Sequence, residues 1–290
     1  MRTFIFNPGL LLLATVCLLY SCKKHSSAIP SDIYYTTSIE GYTVTFTNQT
    51  TGATSYKWDF GDGTSSTETS PSHTYPGKGK FVPTLYATNA AGATDQGSTV
   101  IHISKASAVS MTDNSLSDWD SVTHNMVVSG AGGGNFIKAK YDYNSNYLYC
   151  YYEMKATVAQ GNIFDFYFDV DNNTATGYNS WMFNGSGNDV VLEGSLFAGG
   201  WLNVFYFAGG SNQGSWTWNT MSITNYYQIG TIVQDGSTLK FEVAFDRTKL
   251  QGFLGTGIKI GVSSTTSDWS AVVGNTPDQT TASFSLDMTE

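Results

Sequence analysis

Apolar and polar residues alternate over many short stretches of this chain. Alternation at every second position indicates a β-strand with one buried face, because successive side chains point to opposite sides. Residues 163–171, IFDFYFDVD, have one face made of Phe164, Phe166, Phe168 and Val170 and another made of Asp165, Tyr167, Asp169 and Asp171. Residues 239–245 and 258–262 carry similar stripes, and no stretch has the period of a long amphipathic helix. We therefore predict an all-β protein.

Turns rich in glycine and asparagine divide the predicted strands into two groups. Short strands between residues 34 and 104 predict a small β-sandwich. The linker KASAVS, residues 105–110, opens a larger module, residues 105–290. That length is sufficient for one two-layer core of eight or more strands. The second module is therefore predicted to be a larger, jelly-roll-like β-sandwich.

The first 21 residues have the features of an export signal. Arg2 precedes the apolar run from Leu10 to Leu19, which is too short to cross a bilayer. The run ends in Leu-Tyr-Ser-Cys, which resembles the bacterial lipobox, and this resemblance implies cleavage before a lipidated Cys22. The alternative is a plain secretory peptide cut nearby. Residues 22–33 are expected to form a lipidated tether.

Composition narrows the functional classes. The chain has a net charge of −9 with few, scattered basic residues, so nucleic acid is not an expected partner. Once Cys17 is removed with the signal and Cys22 is lipidated, only Cys150 remains, and one cysteine cannot form an internal disulfide. Its place in the alternating stretch YLYCYYEM predicts a small buried core residue.

The first module resembles the PKD domain family. WDFGDGT, residues 58–64, followed by SPSHTY, residues 70–75, has the pattern of that family over residues 34–104. The resemblance implies an immunoglobulin-like sandwich that acts as a spacer or adhesive module. It also implies structural roles for Trp58 in the core and for His73 at the start of a strand.

The second module resembles the family 9 carbohydrate-binding modules and the related DOMON-like β-sandwiches. The resemblance rests on SDWD, residues 117–120, on the hairpin sequence DVDNNTATGY, residues 169–178, and on the order of the strands around them. Together with the lipobox and the PKD-like module, it implies a Bacteroidetes surface lipoprotein without catalytic activity. Such a protein would sit on the outer membrane and capture a polysaccharide for a glycan transporter complex.

Tryptophans outside the apolar stripes are candidate ligand-binding residues, because the flat faces of sugars pack on aromatic rings while amides and carboxylates orient the hydroxyls. Trp181 and Trp269 lie in polar loops, and the family resemblance implies that two such rings clamp a sugar. The remaining candidates are Trp201, Trp216 and Trp218, with Asn184 and Asp189, and less strongly Asn179 and Glu193, as polar partners.

The hairpin after residue 168 is a candidate calcium site. Asp169, Asp171 and Asn173 alternate before a Thr-Gly turn and offer the hard oxygen ligands that Ca²⁺ prefers. An EF-hand is excluded, since its sixth position needs glycine and is Thr174 here. The alternatives are an ordinary turn with solvated aspartates or, least favoured, a catalytic carboxylate pair. No other cofactor is expected.

Three other functions compete with glycan binding. Carboxylates for glycoside hydrolysis are present, but their spacing in the sequence singles out no pair. An adhesion or assembly protein would use the same aromatic surface to bind another protein. A haem protein would need buried axial ligands, and only His124 with Met126 or Met154 is available.

Overall fold

The computed structural model describes residues 32–197 and 199–289. The predicted signal peptide, the lipidation site at Cys22 and nearly all of the predicted tether lie outside the described residues. Within them, no helix has the length and apolar character needed to cross a membrane. Strands dominate throughout, so the all-β prediction is confirmed.

The N-terminal domain consists of nine short strands in three sheets. The strands are β1 (Tyr35–Glu40), β2 (Thr43–Asn48), β3 (Ser55–Asp59), β4 (Ser65–Ser66), β5 (Ser72–Thr74), β6 (Gly79–Phe81), β7 (Thr84–Thr88), β8 (Thr94–Ser98) and β9 (Ile101–Ile103). They pair in the orders β1-β2-β5, β4-β3-β7-β8 and β6-β9. All of the pairs are antiparallel, as expected for strands joined by short turns.

Trp58 lies at the centre of this domain and is completely buried. Its ring packs 4.9 Å from Phe46, and its indole N–H donates to the Glu68 carbonyl. His73 stacks on Phe60 at 4.1 Å and contacts the Asp62 carboxylate at 2.7 Å. The WDFGD and SHTY segments therefore serve the core and the turn beside it, which agrees with the structural roles expected from the sequence.

The C-terminal domain is a sandwich of two antiparallel sheets. Its strands are β10 (Met126–Val128), β11 (Phe136–Tyr143), β12 (Tyr147–Lys155), β13 (Ile163–Asp169), β14 (Val190–Ser195), β15 (Trp201–Phe207), β16 (Trp218–Met221), β17 (Tyr227–Asp235), β18 (Thr238–Asp246), β19 (Gly257–Thr265), β20 (Val272–Thr276) and β21 (Phe284–Asp287). One sheet has the order β10-β11-β12-β18-β17. The other has the order β16-β15-β14-β13-β19-β20, with β21 also paired to β19, and we call it the seven-stranded sheet.

The main hydrophobic core fills the space between these two sheets. The stripe Phe164, Phe166 and Phe168 of β13 enters it from the seven-stranded sheet, and all three side chains are at most 1 % exposed. Phe241 and Cys150 enter it from the opposite sheet and are completely buried. Burial raises the pKa of the Cys150 thiol, so this residue is an unreactive core side chain, as predicted.

A second, smaller core covers the outer side of the five-stranded sheet. Trp119, from the SDWDS turn, packs there with Tyr151 at a ring distance of 5.7 Å. Its indole N–H donates to the Glu242 carboxylate at 2.7 Å, and both residues are at most 1 % exposed. Glu242 also accepts the Thr231 N–H at 2.8 Å, beside the bulge between Ile229 and Ile232. Trp119 is thus a packing residue that also satisfies a buried carboxylate.

Candidate functional site

The outer face of the seven-stranded sheet carries a row of polar residues. Strand register places Asn203, Glu193, Asp165, Ser263 and Asn275 side by side across five neighbouring strands. They face outward because the intervening residues of β13 enter the core. Asn203 is exposed and Glu193 is half-buried, whereas the other three are buried. The row is therefore open to solvent at the β15 side of the sheet.

A cleft of about 270 Å³ opens at this accessible end of the row. It is lined by Val191, Glu193, Phe205, Trp216 and Trp218. Val191 and Phe205 are cross-strand partners on β14 and β15 and form an apolar floor. The two tryptophans and one carboxylate thus border the same small space, a combination of apolar and orienting polar groups typical of ligand sites.

The tryptophans of this cleft belong to an aromatic cluster at the edge of the sheet. Trp216 and Trp218 lie with ring centroids 5.3 Å apart at an interplanar angle of 69°. Tyr178 contacts Trp216 at 5.0 Å, and Phe207 contacts Trp218 at 5.5 Å. Trp216 remains 56 % exposed despite these neighbours. The cluster therefore holds the Trp216 ring in place while leaving much of it available to a ligand.

The loop between β13 and β14 covers the middle of the same face. Met182 and Phe183 are buried there against Tyr167 and Val191. The Phe183 ring lies so close to Gly261 of β19 that a Cβ at that position would approach it to 2.6 Å. The amide of Asn184 donates to the Thr280 carbonyl and ties the loop to the segment before β21. This covering leaves the Trp216–Trp218 side as the open part of the surface.

Asp165 and Glu193 form a carboxyl pair that sequence spacing did not reveal. They are direct partners on antiparallel strands, where side chains of opposed residues contact one another. Burial and the Glu193 charge raise the pKa of Asp165 to about 7, although the Ser263 hydroxyl donates to it. Burial also raises the pKa of Glu193. Asp165 is 8 % exposed, and its Oδ1 has no hydrogen-bond partner among the described residues.

The carboxyl of Asp165 is expected to make stability fall as the pH rises. Its folded-state pKa of about 7 exceeds the unfolded value near 4, so between these values the folded protein binds more protons than the unfolded chain. The protonated Asp165 carboxyl makes its full contribution to the free energy of unfolding below pH 4, and this contribution is lost as the pH rises through 7. The loss is on the order of 2–4 kcal/mol. Asp165→Asn should therefore be more stable than wild type at pH 8 and should flatten this dependence, as measured by urea unfolding at pH 5 and pH 8.

Asp235→Asn is the control for the loss of one negative charge, because Asp235 is exposed on β17. It should change stability similarly at both pH values. An Asp165→Asn variant with the same pH dependence as wild type would contradict the assignment of this dependence to Asp165.

The other candidate tryptophans are exposed but separate from the cleft. Trp181 is 61 % exposed, Trp269 is 49 % exposed and Trp201 is 42 % exposed. Within residues 32–197 and 199–289, no ring contact joins any of the three to another aromatic side chain, and none of them lines the cleft. The structure thus brings together Trp216 and Trp218, while the sequence placed Trp181 and Trp269 first.

The acidic hairpin forms a distinct cluster beside the sheet. Asp169, Asp171 and Asp189 each place a carboxylate oxygen within 4.8 Å of the other two. Asp169 is completely buried and ion-paired with Lys259 at 2.7 Å, so it is not a solvated turn residue. The side chain of Asn173 accepts the Ala175 N–H within the turn.

The charge of this cluster is only partly balanced. Burial and the charges of Asp171 and Asp169 raise the pKa of Asp189 to about 6, although the Val170 N–H donates to it. Three carboxylates with a single ammonium group match the chemistry of a hard divalent cation. Asp189, predicted as a sugar-binding residue, therefore belongs to this cluster and not to the lining of the aromatic cleft.

The residues considered for haem binding do not share a buried site. His124 and Met126 are exposed, whereas Met154 is completely buried in the main core. Axial ligands need a common pocket that holds the macrocycle between them. This arrangement argues against the haem hypothesis.

Comparison with known proteins gives little information about the C-terminal domain. No curated protein sequence matches the chain. Over about three quarters of its length the chain aligns with a solved structure titled as a study of promiscuous carbohydrate-binding modules from the β-sandwich superfamily, at 14 % identity and a TM-score of 0.25. It covers 90 % of that structure. A likeness this weak carries no argument about the fold or ligand of the C-terminal domain.

Two PKD domains of known structure align with the N-terminal part. The PKD1 domain of the Vibrio cholerae metalloprotease PrtV is 32 % identical, and the alignment covers 24 % of this chain and 93 % of that domain with a TM-score of 0.24. The PKD1 domain of Vibrio anguillarum Epp is 28 % identical over 25 % of this chain and 90 % of that domain, with the same TM-score. The PKD family description matches residues 31–103. This family match, rather than the two structural alignments, shows that the N-terminal domain is a PKD domain.

Proposed function

We propose that the C-terminal domain binds a glycan in the cleft formed by Trp216, Trp218 and Glu193. The observation that carries the proposal is the pairing of two contacting indole rings with a carboxylate in one open cleft. An indole face offers the flat apolar surface on which a sugar ring packs. Glu193 accepts hydrogen bonds from hydroxyl groups, and this fixes the orientation of the sugar.

The shape of the surface favours a chain over a single sugar. The polar row continues from Glu193 to the exposed Asn203, which extends the hydrogen-bonding surface beyond the cleft. Trp201 is the first residue of β15, two residues before Asn203, and is 42 % exposed. Successive residues of a polysaccharide can therefore contact the cleft, Asn203 and Trp201 in turn.

The cellular part of the proposal extends beyond the described residues. A lipid at Cys22 would attach the protein to the outer membrane, with the PKD domain as a spacer between the anchor and the binding domain. On the cell surface, the protein would capture a polysaccharide for a neighbouring transporter complex. Metabolic labelling with a palmitate analogue, lost in Cys22→Ala, tests the anchor. Protease shaving of intact cells tests surface exposure, because a periplasmic protein would survive it.

The carboxyl groups of Asp165 and Glu193 differ in exposure, and this difference favours glycan binding without hydrolysis. A glycoside hydrolase places two carboxyl groups on either side of the scissile bond. Here Glu193 lines the cleft, whereas Asp165 is buried beneath the surface and does not line it. We therefore expect the protein to bind its glycan without releasing reducing ends. Release of reducing sugar that is lost in Glu193→Gln would contradict this part of the proposal.

Affinity electrophoresis through gels that contain soluble β-glucan, xylan, mannan or fructan tests the proposal. Retardation by one of these polysaccharides is the expected result. Free migration through the whole panel would overturn it and would favour a protein ligand for the aromatic surface.

The proposal also places a structural Ca²⁺ at Asp169, Asp171 and Asp189. Asp171 and Asp189 would supply most of the charge, since Lys259 already neutralises Asp169. Ca²⁺ should raise the unfolding temperature, by an amount equivalent to about 2.7 kcal/mol when its concentration is one hundred times the Kd. Differential scanning calorimetry in Ca²⁺, in Mg²⁺ and in a chelator measures this. Asp189→Asn should abolish the effect and Asp235→Asn should retain it, while equal wild-type values in Ca²⁺ and chelator would rule the site out.

A further inference from the structure

A second cavity lies where the two domains meet. It has a volume of about 530 Å³, within the range of small-molecule sites. Strands β6 and β9 of the PKD domain form one wall. The loop between β18 and β19, Ser145 from the β11–β12 turn, and the residues after β21 form the other. A ligand in this cavity would contact both domains at once.

The cavity is basic in a protein whose net charge is −9. Its lining contains Lys78, Lys80, His102 and Arg247, and none of the described lining residues is acidic. The rest of the lining is partly apolar and includes Ile103 and Met288. An exposed carboxylate, Asp287, lies nearby but is not part of the lining. Hydrogen bonds from Thr289 and, to a smaller extent, the charge of Lys78 lower its pKa.

Arg247 is a buried cation without a carboxylate partner among the described residues. It is 4 % exposed, and its guanidinium donates to the backbone carbonyls of Phe253, Asn144 and Gly255. Burial lowers its pKa to about 10. The neighbouring Asp246 carboxylate is paired with Lys249 at 3.5 Å instead. The guanidinium also lies over the Tyr143 ring, 5.4 Å from its centroid. These contacts are to neutral groups, so a nearby anion would further offset the cost of burying the charge.

Other hydrogen-bond donors are also available to such an anion, namely the two lysines and the N–H of a neutral His102 imidazole. Burial, followed by the charges of Lys80 and Arg247, lowers the pKa of His102. Its ring makes no hydrogen bond to any residue that the structure describes. Lys80 has no carboxylate partner there either, in contrast to Lys105, which pairs with Asp142 at 2.6 Å. Lys78 donates to the Thr289 carbonyl, so its ammonium retains further N–H groups.

We propose that this interdomain cavity binds the oxyanion group of a small organic anion, a carboxylate or a phosphate carried on a larger body. The basic lining supplies the attraction and the hydrogen-bond donors, as expected for recognition of such groups. The volume and the apolar walls accommodate more than an inorganic ion. The site is independent of the aromatic cleft, which contains Glu193 and no cation.

Isothermal titration calorimetry of the full chain, at constant ionic strength, tests the site. The probes are inorganic phosphate, glucuronate and the neutral sugar galactose. We expect phosphate or glucuronate to bind and galactose not to bind, and the responding probe identifies the preferred group. Lys80→Gln should weaken binding at least tenfold, whereas Lys57→Gln, an exposed lysine of the same domain outside the cavity, should leave it unchanged.

A second readout tests the position of the site between the domains. A ligand that contacts both domains should slow limited proteolysis of the linker, residues 105–110, in wild type but not in Lys80→Gln. Equal heats with all three probes, or a Kd that is the same in Lys80→Gln and Lys57→Gln, would overturn the proposal. If the anions bind at an unrelated surface, proteolysis of the linker should be unchanged. That result would also overturn the proposed interdomain site.

Discussion

Trp216→Ala is expected to reduce the affinity for the captured polysaccharide by at least about tenfold, because aromatic anchors in a binding cleft commonly account for more than 1.4 kcal/mol. Trp216 is 56 % exposed, so its removal should not disturb the core. Trp218, which contacts it at 5.3 Å, is half-buried and also packs against the cluster around Tyr167. Trp218→Phe, which retains a ring, is therefore the suitable second variant and should cause a smaller loss.

Trp181→Ala and Trp269→Ala are the informative comparisons. Both side chains are well exposed, and neither lines the cleft. If the cleft binds the glycan, these variants should migrate like wild type in affinity electrophoresis while Trp216→Ala migrates freely. If Trp181→Ala and Trp269→Ala migrate freely while Trp216→Ala is retarded like wild type, the cleft is not the glycan-binding site. That result would favour the clamp between two loops that the family resemblance implied. Glu193→Gln separates hydrogen bonding from stacking, since it retains the shape of the side chain.

Trp119→Ala is expected to destabilise the C-terminal domain by about 3–5 kcal/mol, the usual cost of removing a large buried aromatic side chain. Trp119 is 1 % exposed and is the largest member of the small core on the outer side of the five-stranded sheet. Its removal also leaves the buried Glu242 carboxylate without the indole N–H that donates to it at 2.7 Å. Burial already raises the pKa of Glu242, so the loss should be greater at pH 8 than at pH 5.

Trp119→Phe separates packing from hydrogen bonding. It retains most of the buried ring but removes the donor, so the expected loss is about 1–3 kcal/mol. Chemical denaturation of both variants, followed by near-ultraviolet circular dichroism, measures the two contributions. A Trp119→Ala variant within 1 kcal/mol of wild type would show that the small core adds little to the stability of the domain. The Trp216→Ala protein is the control for the loss of one tryptophan signal.

The features that could be predicted from the sequence depend on residues close together in the chain. Alternation correctly assigned Phe164, Phe166 and Phe168 to the core and placed Asp165 on the opposite face. The same reasoning predicted a buried Cys150, and the WDFGD pattern identified the PKD domain. These inferences succeed because a strand fixes the orientation of its own side chains, and because a compact turn motif carries its contacts within a few residues.

The arrangement of the candidate site depends on contacts between distant segments. Asp165 meets Glu193 because β13 pairs with β14, and Trp216 reaches Glu193 through the pairing of β14, β15 and β16. Periodicity reports neither which strands pair nor how a loop crosses a sheet. It therefore could not rank Trp216 above Trp181, since both tryptophans occur in polar surroundings of similar composition.

The sequence by itself determined the all-β class, the PKD domain and the faces of the main strands, because these follow from side-chain period and short motifs. Only the tertiary structure decided which tryptophans share a cleft, that Asp189 joins Asp169 and Asp171, and that Arg247 is buried beside a basic cavity. Each of those features requires residues from separate strands or domains. Strand pairing and domain contact, rather than local spacing, bring them together.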